Sequence, residues 1–168
     1  MPNITPPPQE KSNIGAAQQD IDVMPQVKKE RGDAGRMSVQ DIIKHDLEQS
    51  GSDIPFEKVY YALYQMIQSG RTRIMRSGNT LFAYNILEPG VAEFHVINAD
   101  APKNLLKNVK EFYEAMKKAN FKRGISTTEN PQIVKLAQTA GIPITAKQSQ
   151  RFDGKQMVPT IEVTVEIQ

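Results

Sequence analysis

The stretch from residue 72 to 98 constrains this chain more than any other. Three short runs rich in β-branched and aromatic residues, 72–75, 81–87 and 92–98, are separated by Ser77-Gly78-Asn79 and Glu88-Pro89-Gly90, the composition of strands punctuated by turns. A crossover between parallel strands needs a dozen or more residues, so connections this short require an antiparallel meander. A meander has a face to bury, and the next segment supplies a cover. Over 102–120, Leu105, Leu106, Val109, Phe112, Tyr113 and Met116 fall on one stripe at helical spacing, and lysines occupy the other face.

The flanks extend the pattern. Ser38 is a good N-cap for a helix whose Val39, Ile42, Ile43 and Leu47 share a face before Ser50-Gly51-Ser52 stops it. A second helix, opened by Asp53 or Pro55, carries Phe56, Val59, Tyr60, Leu63, Met66 and Ile67 as far as Gly70. Lys58, Gln65 and Gln68 alone are too few basic or amide groups for a DNA-recognition helix. Beyond 120 the spacing predicts a strand at 123–127, a helix over 131–140 closed by Gly141, and a strand pair at 144–148 and 160–167 around Phe152-Asp153-Gly154-Lys155. The predicted fold class is α/β (α+β), a mixed, mainly antiparallel sheet flanked by helices.

Residues 1–36 read differently. They hold five of the eleven prolines and almost no periodic apolar pattern, so they cannot bury enough surface to offset their ordering entropy. The expected organisation is an extended, Pro-rich N-terminal tail over 1–36 and one domain over 37–168. Ile21, Val23 and Met24 are short apolar anchors with which the tail would reach other protein subunits.

Composition removes several functions. No cysteine means no disulfide, thiolate metal site or cysteine nucleophile, and two isolated histidines argue against a zinc centre, so no metal is expected. No apolar run approaches a transmembrane length, and the N-terminus lacks a signal-peptide pattern, which predicts a chain that remains in the cytoplasm on synthesis. A formal net charge of +2 identifies no partner. Locally, however, Lys103, Lys107, Lys110, Lys117 and Lys118 give a basic surface to which Arg71, Arg73 and Arg76 would add. Such a face suits a nucleic-acid backbone or an acidic protein.

The element order resembles that of the GNAT (GCN5-related N-acetyltransferase) acyltransferases over roughly 38–168. Ala92-Glu93-Phe94-His95-Val96 looks like that family's fourth strand, Asn130-Pro131 like its Asn-Pro helix opening, and Gly141-Ile142 like the step into its last strands. The family's first strand has no counterpart except tail residues around 22–27. The resemblance implies acetyl-CoA as cofactor, held by an Arg/Gln-x-x-Gly-x-Gly/Ala loop whose backbone amides close on the pyrophosphate at a helix N-terminus.

Two departures follow from that resemblance. Alignment on Leu105-Leu106 puts Asp100 and Pro102 at the glycine positions and Ile97 at the Arg/Gln position. A carboxylate there is expected to cap the helix and repel phosphate, and the proline removes an N–H donor. At the family's general-acid tyrosine stands Ala137, which has no proton to give. The expected function is therefore a catalytically degenerate GNAT-like domain without a cofactor, serving as a structural or adaptor protein. In this it resembles the GNAT-like proteins encoded among bacteriophage virion genes, which implies incorporation into a virion. The alternative is an acetyl-CoA-dependent N-acetyltransferase in which Ile97, Ala99, Asp100, Pro102 and Lys103 surround the cofactor and Glu93 or His95 is the base. A nucleic-acid-associated protein is the third reading.

Overall fold

The structure, a computed structural model, describes residues 35–168, so the expectations for the tail, its anchors and a first strand around 22–27 lie outside the described residues. Helix α1 (Val39–Ser50) is opened by Ser38, whose hydroxyl accepts the Asp41 N–H at 3.1 Å, and closed by Gly51 in the left-handed region at φ 65°. Helix α2 (Phe56–Gln68) starts at Pro55 without a side-chain cap, so Asp53 does not open it. The meander follows as β1 (Arg73–Ser77), β2 (Thr80–Glu88) and β3 (Val91–Asn98). Helix α3 (Pro102–Lys118) leads to β4 (Arg123–Thr128), then to α4 (Pro131–Thr139) and the hairpin β5 (Ile144–Phe152) and β6 (Met157–Glu166).

The last hairpin corrects the sequence reading. It is longer than expected at both strands, Phe152 pairs with Met157 inside the ladder, and the turn is Asp153–Gln156. The Asp153 carboxylate accepts the N–H groups of Lys155 and Gln156 at 2.8 and 2.9 Å, and those bonds, Gln156 first, hold its pKa below the usual range. A polar, exposed β5 gives little periodic apolar signal, which is why its length was not legible.

The six strands lie in the order β1-β2-β3-β4-β6-β5, antiparallel except for β3 beside β4. Alternate residues serve opposite faces. On one face Phe82, Ala92, Val163 and Val165 meet Phe112 and Met116 of α3, with Phe82 and Phe112 stacked at 4.3 Å between centroids and 4° between planes. On the other, Ile74, Leu81 and Ala83 meet Val39, Ile42 and Ile43 of α1. Helices α1 and α2 therefore cover one side of the sheet, and α3 with α4 the other.

Arg76 does not join a basic surface. It is 5% exposed and donates from Nη2 to the Met37 carbonyl at 2.6 Å and from Nε to that of Gly78 at 2.9 Å, fixing the entry to α1 against the β1–β2 turn.

Phe112→Ala removes the ring at the centre of the α3 seat and is expected to lower the unfolding free energy by about 3–5 kcal/mol. Phe152→Ala, at an exposed hairpin tip, is expected to change it by less than about 1 kcal/mol. Urea unfolding of both variants measures the difference.

Candidate functional site at the divergence of two parallel strands

Strands β3 and β4 pair only from Val91–Glu93 to Arg123–Ile125, although β3 runs on to Asn98 and β4 to Thr128. The two separate as a wedge. In an antiparallel ladder the backbone groups of successive residues point to alternate sides. Ala99 gives its N–H to Asn79 across the β2 side at 2.9 Å, so beyond the last ladder pair, Glu93 with Ile125, the amides of Val96 and Asn98 face the wedge. Beneath it lies an apolar cavity of about 60 Å³, lined by Phe94, Val96, Val109, Tyr113 and Ala137 among others. Gly124 is required at its closed end, because a Cβ there would stand 2.9 Å from the Phe94 ring.

The mouth of the wedge is held by α1. Asp46 accepts the Asn98 N–H at 2.9 Å. Burial pushes its carboxyl above the usual 3.8, opposed by that bond and by neighbouring His45. The buried Nδ1 of His45 makes no hydrogen bond among the described residues.

The loop from β3 into α3 is closed by its own side chains. Asn98 Oδ1 accepts the Asp100 N–H at 3.0 Å and the Thr80 hydroxyl at 2.8 Å, while its Nδ2 donates to the Asp100 carbonyl at 2.9 Å. Asp100 does not cap α3, contrary to expectation: the N-cap is Ala101, with no side-chain bond. Its carboxylate turns instead to the β1–β2 turn and accepts the Asn79 N–H and the Asn108 Nδ2, each at 2.7 Å. Asn108, 4% exposed, also donates to Thr80 at 2.9 Å, and its Oδ1 lies 3.0 Å from the Ser77 hydroxyl, which also meets Glu111. Gly78 makes room for this: at φ 57° it sits where a Cβ would be 2.7 Å from the Asp100 oxygen.

The other expected site residues scatter. Ile97 and Ala99 pack their side chains against the α1 cluster, Pro102 begins α3 without an N–H to offer, and Lys103 is exposed. Because Phe94 faces α3, Glu93 and His95 point to the opposite side, with α1; Glu93 is half-buried and His95 exposed. Lys103, Lys107, Lys110, Lys117 and Lys118 are all exposed on α3, with Lys107 3.8 Å from Glu111.

Sequence reasoning missed Asp46 and Asn108. Each had a signal: Asn108 falls between Leu105 and Phe112 on the buried stripe, and Asp46 follows Ile42 and Ile43 at helical spacing. A polar residue on a buried stripe needs a partner.

Among the described residues, no group of His, Cys, Asp or Glu is placed to hold a metal, and no helix is long and apolar enough to cross a membrane. No protein-family model and no curated protein sequence matches the chain. Solved structures do. The ribosomal-protein-alanine N-acetyltransferase of Brucella melitensis superposes with a TM-score of 0.51 at 12% identity, covering 77% of this chain and 96% of its own. A GNAT-superfamily phosphinothricin acetyltransferase of Sinorhizobium meliloti, solved with acetyl-CoA, gives 0.53 at 9% identity, covering 83% and 86%. An N-acetyltransferase of Staphylococcus aureus gives 0.53 at 9%, covering 79% and 96%. The chain has the GNAT fold.

A folded pKa raised above its unfolded value gives a contribution that is fully present below the unfolded value and lost as pH rises through the folded one. Asp46→Asn keeps an oxygen for the Asn98 N–H and does not ionise. Relative to the natural protein it is expected to gain stability as pH rises from below 3.8 to neutrality; urea unfolding across that series reads the trend, and a constant difference would refute it.

Proposed function

Given the GNAT fold, we propose that this protein is a catalytically silent member of that architecture and acts as a binding and assembly module. The observation that carries the reading is the position of Asp100. Its carboxylate stands at the entrance to α3, held by the Asn79 N–H and Asn108, where the fold's resemblance would put glycines and a pyrophosphate. A second anion beside it meets repulsion, and Pro102 withdraws one of the amides that would bind it. The residues present do not fit the phosphates of coenzyme A. Ala137, on the cavity wall, offers no proton for a departing thiolate.

Action through other protein subunits follows from the same reading, and the eroded loop together with the tail supports a setting in a phage virion. Acetyl-CoA-dependent N-acetyl transfer is the second reading, favoured by the open wedge with the Val96 amide above an apolar slot and by the acetyl-CoA complex of the Sinorhizobium protein. In that reading Glu93 or His95 takes the proton of an amine from the α1 side of β3.

Isothermal titration with acetyl-CoA and coenzyme A separates the two. The natural protein is expected to show no binding, and an Asp100→Gly, Pro102→Gly double variant, with the carboxylate gone and an amide regained, is expected to bind measurably more tightly. Micromolar affinity in the natural protein overturns the proposal.

A further inference from the structure

Helix α2 carries Phe, Tyr, Leu, Met, Val and Ile at eight of its positions together with Ala62, yet none of its residues is buried, whereas α1 buries Val39, Ile42 and Ile43. Its inner stripe rests half-covered on the sheet. Tyr61 and Met66, with Ile54 of the preceding turn, stand 55%, 38% and 53% exposed. Tyrosine and methionine are residues that interfaces collect.

Charge says what should cover this surface. Around it Asp41, Glu48, Asp53 and Glu57 are exposed against Lys44, Lys58 and Arg71, whose backbone N–H donates to the Met66 carbonyl, four minus three, an excess of one negative charge. Lys44 is already engaged over the Phe56 ring at 4.8 Å. On the far side of the sheet α3 exposes Lys103, Lys107, Lys110, Lys117 and Lys118 against Glu114, five minus one, an excess of four positive charges. The two surfaces are opposite in sign, and the lysine surface repels a copy of itself, which disfavours two-fold pairing through it. The sheet stands between them, so they cannot meet within one molecule.

We propose that copies of this chain associate head to tail, the acidic, tyrosine-bearing face of α1 and α2 on one copy seating on the lysine face of α3 on the next. The lysine stems offer aliphatic surface to Ile54 and Met66, and their ammonium groups reach the Tyr61 ring and the surrounding carboxylates. A contact between two different surfaces closes as a ring or continues as a filament, which suits a structural module. The inference rests on the assembly reading above and names its partner: a second copy.

Sedimentation velocity of the full chain over a concentration series tests it. The sedimentation coefficient is expected to rise with concentration at low salt and to fall back toward the monomer at about 0.5 M salt, where charges separated by more than a few ångströms are screened. Lys110→Glu with Lys117→Glu, and Asp53→Lys with Glu57→Lys, change only exposed positions, and circular dichroism checks that both variants fold. Each alone is expected to remain monomeric. Mixed, they are expected to form a one-to-one pair, because the unaltered acidic face of the first variant meets the unaltered lysine face of the second. A natural protein monomeric at every concentration, association unchanged by either variant, or a mixture that stays monomeric overturns the proposal. A monomer that also fails to bind coenzyme A leaves the module reading with a different partner; an associating protein that binds coenzyme A removes that reading and leaves this contact.

Discussion

Helix α3 meets the sheet through two chemically different halves, and the rest of the domain is arranged around that seat. Toward its C-terminus Phe112 and Met116 press on Phe82, Val163 and Val165, an apolar contact that is non-directional and tolerates small shifts. One turn before Phe112 the same stripe carries Asn108, and a buried amide tolerates none. An unpaired donor in the interior loses about 1–3 kcal/mol, so Thr80, Asp100 and Ser77 must stand at bonding distance together. The apolar half holds the helix on the sheet, and the amide sets its rotation and the path of the loop that enters it.

The network has a direct chemical consequence. Asp100 satisfies Asn108 and the Asn79 amide with the same oxygen, and Gly78 exists at φ 57° in the space that oxygen leaves. The loop before α3 carries an anion of its own, held against the β1–β2 turn. The wedge between β3 and β4 persists all the same, because it comes from strand divergence and from the helices on either side rather than from the loop. The wedge and the loop are therefore set by separate interactions, the one by strand divergence and the other by the Asp100 carboxylate. Asp46 adds to this from the opposite layer, tying α1 to the last wedge-facing amide of β3.

The secondary structure was largely legible because its signals are local. Ser38 and Asn130 cap helices through bonds to amides two or three residues away, Gly51 and Gly141 end helices in the left-handed region, and tight turns leave the meander no other topology. Where the sequence reading fell short, the cause was tertiary. The ends of β5 and β6 were missed because exposed strands need no apolar alternation. Arg76 looked like a surface cation, yet the carbonyls of Met37 and Gly78 lie where its guanidinium can be buried and bonded. Asp100 was expected to cap α3, the bond available within its own segment, but its carboxylate is bound by Asn79 on the β1–β2 turn and by Asn108 two turns into the helix.

The sequence by itself determined the order of elements, the two apolar faces that sandwich the sheet and the absence of glycine from the loop before α3, since each depends on residue type and spacing along a few turns of chain. Only the tertiary structure decided that Asp100 would be bound by Asn79 and Asn108, that β3 and β4 would part after three residue pairs, and that an acidic tyrosine-bearing face and a lysine face would end on opposite sides. Those outcomes depend on which distant groups the packed helices bring within about 3 Å, the distance at which hydrogen bonds form.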